Sequence, residues 1–474
     1  MQNNSTVLDK LFGFYKENPD DLDSMRDMYR QLIRIAWPAA LEGLLLSLMN
    51  SFDTMMVGKL GPAAIVSVGL CSQPRMILLL MAQALCVGTT AVVARRRGEE
   101  RQDAAKNCLK QSLVIITFIG IAILLTGYFG AEGLVRLAGA SSETVTDAAT
   151  YFRIISLAFV FNCWTLCICA AKRGVGQTKV TMVVNMTANA VNIFLNYCLI
   201  QGHLGFPALG VRGAAIATAI GTFVSFIMAA LAVTINKDDY ISLRPFGKVS
   251  LDSETVTALL HIGGGSIAES VFLRVGFLIN GRLIAGVGTA AYATNQIVMQ
   301  VSGLTFTVSD GTASACTALV GQSLGANKKN KAKLYVYAVS MIALVLSLMI
   351  MTFTFFGRNL LPTLFTEDME IIRAASMCFV ILLFGVFAQN MRVVLSGCLR
   401  GAGDVKYVAI VSLVSVLIIR PLMTYLFCYP LNSLYPLLML GFLGPWLSFD
   451  IDAIVRAVML YARVKKGQWV NIRI

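Results

Sequence analysis

Residues 113–130 (LVIITFIGIAILLTGYFG), 339–357 and 408–428 are long apolar runs, each able to cross a hydrocarbon core, which takes roughly 20 residues of helix. None carries the polar stripe of a water-facing helix, so the solvent for most of this chain is lipid. Composition agrees: 57% of residues are hydrophobic and 14% charged, with mean hydropathy +0.71, against about 45–50% apolar and about 25% charged in a soluble domain. Breaks at Gly, Pro and charge clusters place spans near 33–57, 63–94, 104–129, 148–171, 179–201, 211–235, 255–284, 288–321, 332–357, 372–398, 405–428 and 439–462. The reading is an all-α polytopic membrane protein of about twelve transmembrane helices. Its expected parts are an N-terminal segment 1–32, a six-helix bundle 33–235, a linker 236–254, a second six-helix bundle 255–464 and a tail 465–474. The first segment is polar and mixed in charge, so no cleaved signal is expected.

The formal charge of +13 lies between the apolar segments, in RRRGEER at 95, KRGVGQTK at 172, NKKNKAK at 327 and RGAGDVK at 400. That distribution excludes a nucleic-acid partner and leaves the lipid bilayer. Lys and Arg crowd alternate connections, which places both termini in the cytoplasm of a multi-pass plasma-membrane protein. The eleven cysteines are scattered along apolar helices and the two histidines lie far from them, so they read as small hydrophobes and no metal site is expected.

Shifting the chain by 227 residues aligns Gly61 with Gly288, Lys106 with Lys333, Arg173 with Arg400, Gly174 with Gly401 and Gly176 with Gly403. Six spans per repeat return each half to its starting side. The repeats are therefore parallel, related by an axis along the membrane normal, and two bundles around a central cleft suit alternating access.

Ionisable residues inside such helices face a cavity or a partner. Glu42 and Asp53 are eleven residues apart, about 20° of rotation and roughly 16 Å along one helix face. The repeat sets Glu269 opposite Glu42 and Asn280 opposite Asp53. A desolvated acid of this kind can exchange a proton or monovalent cation for a cationic substrate. Asn185, Asn189, Asn192 and Asn196 recur at helical spacing and share a face, offering neutral hydrogen-bonding partners. Gln389 and Asn390 add polar surface. Arg274, Arg392 and Arg420 call for carboxylate partners such as Glu269, Asp310 or Asp450. No nucleotide-binding loop, nucleophile elbow or zinc motif occurs, so the reading is a transporter without enzymatic activity, needing no cofactor and driven by an ion gradient of H+ or Na+.

The segments DTMMVGKLGPAAIVSVGL at 53, RGVGQTKV at 173, ALGVRGAAIAT at 208, VGTAAYATNQI at 287, ALVGQSLGA at 318, LRGAGDVK at 399 and GQW at 467 together resemble the multidrug and toxic compound extrusion (MATE) family, from about Trp37 to Trp469. The resemblance implies a V-shaped pair of six-helix bundles and antiport of organic cations or drugs by a monomer. It implies a coupling role for Asp53. The helix 7 glutamate and helix 10 aspartate of the NorM branch fall here on Leu273 and Gln389, with Glu269 one turn from the first. The helix 5 Asn and Asp of the DinF branch read Asn192 and Asn196. The alternative is a flippase or exporter of an anionic or lipid-linked molecule, which a site dominated by Arg274, Arg392 and Arg420 would favour.

Overall fold

The computed structural model describes residues 25–142, 144–235, 239–244, 252–435 and 438–472. The long helices are α1 (Met25–Gly58), α2 (Pro62–Gly98), α3 (Gln102–Phe129), α4 (Val145–Leu157 and Phe159–Gly174), α5 (Thr178–Gln201) and α6 (Val211–Thr234). After the linker follow α7 (Ser253–Val287), α8 (Thr289–Gly325), α9 (Lys329–Gly357), α10 (Met369–Ala402), α11 (Val405–Leu434) and α12 (Leu440–Lys466). A helix satisfies its own backbone, the requirement that lipid imposes. Among the described residues, nine helices are long and apolar enough to span a membrane, or ten when the two parts of α4, bent by 50°, are one span. Helices α8 and α12 have 37 and 27 residues, with polar side chains that lower their hydropathy. The pattern is consistent with the expected twelve.

Two compact units form, and their limits fall inside helices: one holds Leu41–Gly263, the other Met1–Ala40 with Gly264–Ile474. In the second unit, Met28 and Leu32 of α1 are fully buried with Leu319, Val336, Leu395 and Leu460, and Tyr335 Oη donates to Gln31 Oε1 at 2.7 Å. In the first unit, the opening turns of α7 are held by Arg96 Nη2 donating to Glu254 Oε1 at 3.1 Å. The Leu259 carbonyl there comes so close to Gly88 that a Cβ on the glycine would be 3.0 Å from it.

The repeat is visible in the contacts of each unit. Gly61 and Gly288 precede α2 and α8 with φ of 107° and 150°, and Gly176 and Gly403 follow α4 and α10 with φ of 80° and 87°, conformations that cost L-residues a steric clash. Thr90 Oγ1 donates across to Ala170 O at 3.0 Å, and its counterpart Thr317 Oγ1 donates to Gly397 O at 2.8 Å. Beside each bond a glycine, Gly174 or Gly401, lets the helices touch backbone to backbone.

Helix α11 departs from regularity. Its turns widen to π-helix at Leu413–Ile419 and Phe427–Leu431, around Pro421 and Pro430. Proline cannot donate to the preceding turn, and insertions of this type commonly mark functional positions.

Candidate functional site

In the unit Leu41–Gly263, α1 meets α5 in two rungs. Asn185 Nδ2 donates to Glu42 Oε1 at 2.6 Å, and Asn196 Nδ2 donates to Asp53 Oδ1 at 2.8 Å. Each pair is separated by 143 residues, so eleven residues on α1 match eleven on α5, as two parallel helices of equal rise require. The expected common face of Glu42 and Asp53 is thus the face turned to α5.

The upper rung surrounds Asp53 with amides. The Asn192 side chain is best satisfied with its NH2 toward Asp53, 3.0 Å from Oδ1 and 3.2 Å from Oδ2, while its carbonyl accepts from the Thr218 N–H at 3.1 Å. Asn192 and Asn196 are 6% and 2% exposed; Asp53 is half-buried and lines a cavity of about 490 Å³ with Arg75, Gln83, Tyr151 and Thr218. The two amides bring hydrogen bonds but no counter-charge to Asp53, which leaves the carboxyl group able to exchange a proton or a small cation with the cavity. Asn189 turns elsewhere and donates to the Asn185 carbonyl at 2.7 Å.

The lower rung is a closed knot. Glu42, 5% exposed, accepts from Arg173 Nη2 at 3.1 Å and Thr181 Oγ1 at 2.9 Å as well as from Asn185. At the ends of α4 and α6, Lys172 Nζ donates to Asp239 Oδ2 at 2.7 Å and Gln177 Nε2 to Asp239 Oδ1 at 2.8 Å. Burial pushes the Asp239 carboxyl up, but these hydrogen bonds outweigh it and hold the group below its ordinary value.

In the other unit, Glu269 takes the place of Glu42 and binds Arg400, whose Nη2 donates at 2.6 Å and Nε at 3.3 Å. Asn280 accepts from Thr424 Oγ1 at 2.6 Å, and buried Gln389 accepts from Arg392 Nε at 2.7 Å. Asn390 bridges Ser309 and Ser347 at 2.7 and 2.8 Å. Arg420 pairs with Asp452, which also binds Arg456 and Ser415, and its guanidinium lies 4.7 Å from the Phe449 ring centroid and 5.0 Å from that of Phe277. Arg274 is exposed on α7.

Of the residues singled out in the sequence, Asp53 meets Asn192 and Asn196, while Glu42 and Glu269 each meet an arginine. The expected partner of Glu269 was Arg274, Arg392 or Arg420; the structure gives Arg400 instead, and Arg173 for Glu42, although the repeat sets those two arginines at equivalent positions. Asp452 and Arg456 were also missed, since nothing in the spacing of α12 distinguishes a paired acid from an unpaired one.

The MatE family model matches twice, over residues 38–198 and 266–426. The chain belongs to the MatE family. Both matches begin just before an acid of the Glu42 and Glu269 pair, so this MatE chain carries the family unit once in each half. A relative in Bacillus subtilis, "Uncharacterized transporter YisQ", is 26% identical over 93% of this chain and 95% of its own length. The "Probable multidrug resistance protein NorM" of Pasteurella multocida is 27% identical over 94% and 96%. The fold of the MatE chain is shared with the solved "Outward-facing conformation of a multidrug resistance MATE family transporter of the MOP superfamily", at TM-score 0.85 and 22% identity over 96% and 99% of the two chains. It is also shared with "Crystal structure of MATE in complex with MaD3S", at TM-score 0.84 and 23% identity over 93% and 96%. The chain is an all-α, multi-pass membrane protein of two repeats in a family of transporters.

Proposed function

We propose that this protein is a secondary active antiporter that exports organic cations or drugs in exchange for H+ or Na+ by alternating access in the plasma membrane, as a monomer with both termini cytoplasmic. The observation that carries the reading is the Asp53 carboxylate, held by Asn192 and Asn196 at the wall of a cavity of about 490 Å³. An ion that neutralises Asp53 and a cationic substrate that needs its charge compete for one group, and that competition is the exchange. Relatives named as multidrug resistance proteins support the substrate class. Glu42 and Glu269, each closed on an arginine, serve as structural clamps in this reading, while Asp53 binds the ion.

The anionic-substrate alternative would draw on Arg274, Arg392 and Arg420; of these, Arg420 is paired with the Asp452 carboxylate, while Arg392 donates to the neutral Gln389 side chain, so the transport test has to discriminate the two readings. The test is efflux of a fluorescent organic cation from sealed proteoliposomes under an imposed H+ or Na+ gradient. Transport that follows one gradient and is uncoupled by Asp53→Asn is the expected result. A folded preparation that moves no cation under either gradient would overturn the reading and turn attention to anionic or lipid-linked substrates.

A further inference from the structure

Two aspartates stand two residues apart on α12 and meet opposite environments. Asp450 and Asp452 differ by about 200° around the helix. Asp452 is fully buried and takes up Arg420, Arg456 and Ser415. Asp450 is 6% exposed, and neither of its carboxyl oxygens has a side-chain hydrogen-bond partner among the described residues; the donor beside it is the backbone N–H of Gly385. Its Oδ1 lies against α10 in the space that a Cβ on Gly385 would fill, so the missing side chain of the glycine forms a notch shaped to the carboxyl group.

Among the described residues, the cationic groups on the facing stretches are engaged elsewhere. On α8 the ionisable group is Asp310, a second carboxyl that can supply no counter-charge. On α10, Arg392 donates to Gln389 and Cys378 to the Phe442 carbonyl. On α11, Arg420 is bound to Asp452, Cys428 donates to the Leu440 carbonyl and Tyr429 to the Leu283 carbonyl, while Tyr425 stacks on Tyr429. On α12 itself, Arg456 is bound to Asp452. One turn before Asp450, Trp446 Nε1 is buried without an acceptor. An ionised carboxylate buried without a counter-charge is strongly disfavoured, and the neutral acid avoids that cost.

We propose that Asp450, seated in the Gly385 notch, is a proton-binding site of the second unit: it carries a proton in the conformation described and gives it up only when α10 and α12 part enough to admit water. The step moves one proton between solvent and one carboxyl oxygen and requires no other reactant. This goes beyond the exchange at Asp53 and depends on the exporter reading only for the use made of the proton.

The test is infrared spectroscopy of the full chain in lipid at neutral pH, in an Asp53→Asn background so that Asp53 does not contribute. The C=O stretch of a protonated aspartic acid is expected, assigned by 13C-aspartate labelling, and it should be lost in Asp450→Asn. Asp450→Ser serves if the asparagine variant does not fold. A band that persists in the folded Asp450 variant, or no such band in the Asp53→Asn background, would overturn the proposal. The readout involves no substrate, so failure to export cations and failure to find this proton are separate results.

Discussion

Arg400 donates to Glu269 at 2.6 Å across the same 131-residue separation at which Arg173 donates to Glu42 at 3.1 Å. Both members of one pair are displaced by one repeat length from the members of the other. An ion pair joining the first and fourth helices of a repeat is therefore part of the repeated unit. Because both carboxylates are nearly buried, removing either arginine leaves a charge without compensation. Arg400→Ala and Arg173→Ala are each expected to cost about 3 kcal/mol, seen as a lower melting temperature in detergent. Double variants that remove both partners, such as Glu269→Gln with Arg400→Gln, should recover part of that loss, as a coupled pair does in a double-mutant cycle. Strictly additive losses would show that the pairs are incidental.

Asp452 compensates two buried guanidiniums at once. Asp452→Asn is expected to be the most destabilising conservative change in α12, by about 3–5 kcal/mol. Asp450→Asn exchanges one neutral group for another and should leave the melting temperature nearly unchanged. Melting curves of the two variants side by side make the comparison.

At Asp53 the amides can be removed one at a time. Asn196→Leu removes the 2.8 Å donor, and a hydrogen bond to a charged group is worth about 1.5–3 kcal/mol. The expected result is a loss of ion-driven transport of roughly tenfold or more, with folding retained. Asn189→Leu, whose amide is spent on its own helix, should transport at close to the unaltered rate in the same assay.

The glycines at the repeated crossings make a matched set. An added Cβ on Gly174 would be 2.7 Å from the Thr90 carbonyl, and one on Gly401 would be 2.9 Å from Thr317 Cα. Each alanine substitution should cost about 1–3 kcal/mol by forcing the helices apart. Gly281→Ala, where a Cβ would meet nothing within 4 Å, is expected to be neutral or slightly stabilising. Thermal unfolding of the three single variants decides it.

The Lys172, Gln177 and Asp239 cluster predicts a pH dependence. Asp239 has a lower pKa in the folded chain than its ordinary value, so its contribution to stability is complete above about pH 4 and is lost as pH falls through the lower folded value. Asp239→Asn should be less stable than the unaltered chain at neutral pH, and the difference should close in acid. A stability gap that stays constant down to strong acid would argue against the assignment.

The long apolar runs, the 227-residue repeat and the polar faces of α1 and α5 were legible because each is a periodicity within one stretch of chain or an identity between two. Helical spacing alone aligns Glu42 with Asp53 and Asn185 with Asn196, and lipid permits few alternatives to the helix. What only the tertiary structure decided was which polar groups meet. The bend of α4 at Ala158, the assignment of Met25–Ala40 to the second unit, the capture of Glu42 and Glu269 by Arg173 and Arg400, and the contrast between Asp450 and Asp452 all depend on how separate helices are rotated and how closely they approach. Those quantities are set by packing between residues from 32 to 131 positions apart as well as by neighbours in sequence. A charge pattern along one helix therefore names the candidates, and only the packing shows which acids are paired with arginine, which are held by amides and which stand alone.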